Sequence, residues 1–76
     1  MKELIEFLAK SLVDDPDGVQ VHSYQREQSI VIELEVSEGD LGKVIGRQGR
    51  TARAIRTIMA AAAQKSRRRY TLDIID

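Results

Sequence analysis

The stretch Leu41-Gly42-Lys43-Val44-Ile45-Gly46-Arg47-Gln48-Gly49-Arg50-Thr51-Ala52-Arg53-Ala54-Ile55-Arg56 decides how the chain is read. Gly46 and Gly49 interrupt a helical pattern that runs on either side of them. Glycine permits backbone conformations barred to other residues and lets a ligand come close to the main chain, so the pair fits a tight turn that something touches. Arg50, Arg53 and Arg56 follow at helical spacing. What touches the turn is therefore expected to be negatively charged.

Working outward toward the C-terminus, a helix is expected from about Arg50 to Gln64. At about 100° per residue from Arg50, the residues Ile55, Ile58 and Ala62 fall at about 80–140°, while Arg50, Arg53 and Arg56 fall at about 0°, 300° and 240°. The apolar and basic stripes are thus placed on opposite sides. Arg67 to Ile75 sets Tyr70, Leu72 and Ile74 on one face with Thr71 and Asp73 opposite, the alternation of a strand.

Toward the N-terminus, a short helix is expected through Leu41, Gly42, Lys43, Val44 and Ile45, with Asp40 as its N-cap. Before it, Ile30, Ile32, Leu34 and Val36 alternate with Val31, Glu33 and Glu35, and Val19 to Tyr24 alternates valine with polar residues. These are two strands of a hairpin, turned through the polar run Gln25 to Gln28. Residues 2–13 carry Leu4, Ile5, Leu8, Leu12 and Val13 in the stripe of an amphipathic helix, stopped by Asp14-Asp15-Pro16-Asp17-Gly18. The order is helix, strand, strand, helix, helix, strand. A helical crossover normally joins parallel strands, so the expected fold is α+β: a three-stranded mixed sheet with helices packed on one face.

Seventy-six residues make one small domain, and a domain of this size buries only roughly 60% of its unfolded surface, so self-association would help it. Cysteine is absent, which excludes disulfides and thiolate metal sites. The N-terminus carries acids within its apolar pattern and no long apolar run, so neither a signal peptide nor membrane insertion is expected. The chain reads as a cytoplasmic protein. Net charge is formally zero, yet residues 1–40 carry three cations against ten acids, a formal −7, and residues 41–76 carry nine against two, a formal +7. Such a division favours oriented binding of a polyanion by one face.

Val44-Ile45-Gly46-Arg47-Gln48-Gly49, followed by Ile55 and Ile58 on a helix, resembles the signature of the K homology (KH) RNA-binding domain, whose GxxG loop joins two helices. The order of elements matches the type II, bacterial, arrangement. The longer run from Gly42 to Ala52, with Ala54-Ile55-Arg56-Thr57-Ile58, is similar to the KhpA family of stand-alone bacterial KH proteins. The resemblance spans residues 1–76 as a single KH domain. It implies a small RNA-binding, chaperone-like protein that pairs with itself and with a larger partner, KhpB, in connection with cell-envelope growth and division. One departure stands out. Many KH domains have a larger aliphatic residue where this chain has Ala52, which implies a shallower groove and weaker base discrimination.

KH loops grip the backbone of about four single-stranded nucleotides, and the residue chemistry points the same way. Gly46 and Gly49 admit phosphates, the following helix offers unpaired amides and a positive dipole end, and Lys43, Arg47, Arg50 and Arg53 add charge while Gln48 donates a hydrogen bond. Val44 and Ile45, with Val31 or Ile32, are expected to line an apolar groove for the bases. Ile58, Met59 and Ala62 are the candidates for contact between two copies, since small side chains let another helix come close. A plain helix–turn–helix connection and a solvated basic face are the blander readings of the same residues. His22 has no companion ligand or nucleophile near it in sequence, and Asp14, Asp15 and Asp17 lack the spacing of a calcium loop. Neither an enzyme nor a cofactor or metal is expected.

Overall fold

The structure, a computed structural model, describes residues 1–75. Its elements are α1 (Lys2–Leu12), β1 (Gln20–Arg26), β2 (Ser29–Glu35), α2 (Leu41–Ile45), α3 (Arg50–Ala63) and β3 (Arg69–Ile74). The sheet order is β1-β2-β3, antiparallel between β1 and β2 and parallel between β2 and β3. This is the expected α+β architecture, with the return to parallel pairing made through α2 and α3.

The spacing of apolar residues explains which faces are covered. Ile5 and Ala9 of α1, Val44 of α2 and Ile55 and Met59 of α3 join Val19, Val21, Ile32, Leu34 and Leu72 in one core between the helices and one face of the sheet. Ile5, Ile32, Leu34 and Val44 are completely enclosed, and each such side chain contributes about 1.5–3 kcal/mol relative to exposure. α1 ends because Val13 turns to an extended conformation, after which Pro16 opens a single 3-10 turn to Gly18. β1 runs two residues beyond its alternating pattern, since a strand at the sheet edge is held by its ladder to β2 even where both faces are wet. The hairpin therefore closes on Glu27-Gln28 alone, with Glu27 at a positive φ of 54°.

Two expectations are corrected here. The buried stripe of α3 is Ala52, Ile55, Met59 and Ala63, so Met59, at 3% exposure, belongs to the protomer's own core and is removed from the surface candidates for a dimer contact. Ile58 remains at the surface, 43% exposed, with Ala62 beside it. The helix is rotated about its axis relative to the sequence wheel because the sheet fixes which stripe is pressed inward. The second concerns Asp40: it stands at the N-cap position of α2 as expected, but its side chain makes no capping hydrogen bond and its carboxylate is engaged elsewhere.

Candidate nucleic-acid interface

α2 ends at Gly46, whose N–H donates to the Gly42 carbonyl at 2.8 Å while its own φ is 77°. A Cβ there would lie 2.6 Å from Thr51 Cβ and 2.8 Å from Thr51 N, so both conformation and space require glycine. Gly49, at φ 73°, donates to the Gly46 carbonyl at 3.1 Å and closes the turn. Nothing lies within 4 Å of where its Cβ would be. The backbone at Gly49 is open to a ligand, whereas that at Gly46 is packed on Thr51.

Between them, Arg47 and Gln48 are exposed. Gln48 adopts the left-handed region without being glycine, at φ 57° and ψ 26°. Arg50 Nη2 donates to Gln48 Oε1 at 3.2 Å, which leaves the amide nitrogen of Gln48 as the end free to donate outward. No side chain caps the N-terminus of α3, so its positive end and its first amides face the loop unneutralised. Arg53 lies one turn further on the same exposed side.

Lys43 is placed differently. Its Nζ sits 3.2 Å from an Asp14 carboxylate oxygen and 3.4 Å from Asp40 Oδ1, so its charge is already paired on the acidic side of the molecule. Asp40, 4% exposed, also accepts from the backbone N–H of Asp14 at 3.2 Å and of Asp15 at 3.0 Å. Burial pushes the Asp40 carboxyl up, but these hydrogen bonds and Lys43 outweigh it and hold its pKa below the ordinary 3.8. The hydrogen bond and charge of Asp14, together with Asp40, raise that of Lys43 above 10.5. The cluster pins the start of α2 to the loop after α1 and so fixes where the glycine turn stands. Its sequence signal was an acid three residues before a lysine, a pattern equally suited to a helix cap.

The groove differs from expectation as well. Val44 and Ile32 are enclosed in the core and Val31 is buried on the other face of the sheet, so none of the three forms a wall for bases. Ile45 retains surface, as does Leu41 one turn earlier on the same face of α2. Leu41 shares an apolar depression of about 320 Å³ with Val36 and Ile75, rimmed by Glu35 and Glu38. Ala52 is buried in the first turn of α3. Arg56 leaves the basic stripe: its Nη2 donates to the Leu72 carbonyl at 3.2 Å and ties α3 to β3. Among the described residues no group of three acidic or histidine side chains is placed to hold a metal ion.

Residues 2–74 match the family described as KhpA/KhpB, KH domain. The chain belongs to this family. Its relatives in the KhpA/KhpB family include the RNA-binding protein KhpA of Clostridium acetobutylicum, 57% identical over 99% of this chain and 100% of the relative. That of Clostridium perfringens is 55% identical over the same shares. The RNA-binding protein KhpA of Borreliella burgdorferi is 54% identical over 97% of this chain and 90% of its own length. No solved structure matches. In this KhpA/KhpB-family chain the Gly46–Gly49 turn joins α2 to α3, and no helix among the described residues is long and apolar enough to cross a membrane.

Proposed function

We propose that this chain is a cytoplasmic, non-enzymatic protein that binds single-stranded RNA through the Gly46–Gly49 loop. The observation that carries the reading is the juxtaposition of an open backbone at Gly49, an uncapped α3 N-terminus and the exposed side chains of Arg47, Gln48, Arg50 and Arg53. Backbone phosphates fit that combination of amides, dipole and cations. Relatives named for RNA binding support it. Bases then lie along the Leu41 and Ile45 face of α2, and with so shallow a wall the sequence preference is loose.

One domain gripping about four nucleotides gains affinity by pairing. Ile58 and Ala62, exposed on the flank of α3 away from Arg56, supply the contact for a homodimer or for a heterodimer with KhpB. The cellular role that goes with this family resemblance is that of an RNA chaperone in envelope growth and division. The exposed Ile58 also favours the second reading, a KH-shaped module whose task includes docking a protein.

The test is titration of short labelled RNAs at several salt concentrations. With three or four phosphates neutralised, log K falls against log salt with a slope of about −2 to −3. Replacing both Arg47 and Gln48 by aspartate should nearly abolish binding while circular dichroism is unchanged. Retained binding would sink the loop-centred mechanism.

A further inference from the structure

Val31 is 5% exposed yet lies outside the helix-covered core. It belongs to the sheet face that no helix covers, in register with Tyr24 on one side and Thr71 on the other. Tyr24, 40% exposed, is thus held at the surface beside a buried valine on a three-stranded support. The neighbouring row on that face is Arg26, Ser29 and Arg69. Two strand spacings separate the arginines, about 10 Å. Neither makes an ion pair with a described residue, and a depression of about 640 Å³ lies between them, lined also by Glu27 and Gln28. Arg68 lines a smaller adjoining depression. On the other side of Tyr24 the row is His22, Glu33 and Asp73, so the face changes from cationic to acidic across the ring.

An exposed aromatic ring with unpaired cations beside it is the chemistry that binds single strands: the ring stacks on a base and the cations hold the flanking phosphates. The three arginines outweigh the single carboxylate of Glu27, and the acidic row gives the strand a direction of exit. We propose that Tyr24, Arg26 and Arg69 form a second contact for single-stranded nucleic acid on the uncovered face of the sheet. The proposal rests on the RNA-binding reading of the loop and extends it. α3 runs from the glycine turn toward the end of the sheet where Arg69 pairs with Ser29, and its fourteen residues span about 21 Å at about 1.5 Å each. A strand must therefore exceed the roughly four nucleotides held by the loop to engage both contacts.

The test compares oligouridines of about four and about twelve nucleotides against the full chain, a Tyr24→Ala/Arg26→Gln/Arg69→Gln variant and the Arg47→Asp/Gln48→Asp variant. The sheet variant should bind the short oligomer like the unaltered protein and the long one about tenfold more weakly, with a salt slope smaller in magnitude by about two. Tyr24→Phe, which keeps the ring, should bind both normally. Equal affinity of the sheet variant for the long oligomer, or an equal loss for both lengths, would overturn the proposal. Loss of binding to a glutamate-rich peptide with RNA binding intact would overturn it in favour of a protein partner. Photocrosslinking of the unaltered protein to a long iodouridine oligomer gives a readout independent of folding: an adduct on Tyr24 supports the contact, and adducts confined to residues 41–56 refute it. Short-oligomer binding that survives the loop variant would instead count against the loop, and is separately visible.

Discussion

Gly46 and Gly49 look equivalent in the sequence and serve different ends. Gly46 has a positive φ and Thr51 against it, whereas Gly49 has the positive φ alone. Gly46→Ala should therefore cost about 2 kcal/mol or more, and Gly49→Ala about 1 kcal/mol, in urea unfolding. Equal losses would contradict the packing of Gly46 on Thr51. The glycine spacing and the positive charge behind it are legible in the sequence because both are local. That Gln48 also takes the left-handed region is not, since glutamine carries no signal for it and the turn imposes it. Its position on the helix puts Arg56 in the basic stripe, and only the arrival of β3 beside α3 assigns it to the Leu72 carbonyl.

At the level of elements, the amphipathic stripes give each helix and strand its place, but a wheel does not say which part of a broad apolar arc is pressed inward. On α3 the sheet selects Met59 and leaves Ile58 outside. Met59→Ala should destabilise the fold by about 2–4 kcal/mol, and Ile58→Ala by about 0.5 kcal/mol. Ile58→Glu should give a folded monomer in sedimentation, and an unaltered mass would move the interface elsewhere. α2 depends on the Asp40 cluster. Because the folded pKa of Asp40 lies below 3.8, its contribution is present above that value and is lost as pH falls through the lowered pKa. Lys43, raised above 10.5, contributes fully below that pH and loses its contribution as pH rises through the raised value. The stability difference between the unaltered chain and Asp40→Asn should accordingly shrink as pH falls from about 4 through the lowered pKa of Asp40. A difference that stays constant over that range would show that the carboxylate is not the anchor.

Across the whole molecule, the division of charge along the chain becomes a division in space only in part. α1 and the loop after it carry acids, and Asp14 and Asp40 take Lys43 out of the basic set. The remaining arginines gather at the glycine turn and along α3, with Arg26 and Arg67 to Arg69 at the other end of the sheet. The order of elements and the mixed sheet follow from periodicity and the helical crossover. The wall of the groove does not, because it depends on how far α2 sinks into the core, which encloses Val44 and leaves Leu41 and Ile45 at the surface. We propose that RNA is held at the loop. Titrating isotopically labelled protein with a short single-stranded RNA and following backbone amide shifts tests it most directly. The amides of Arg47, Gln48 and Gly49 and of the first turn of α3 should move first and furthest, and shifts that leave them unmoved while another surface responds would contradict the account.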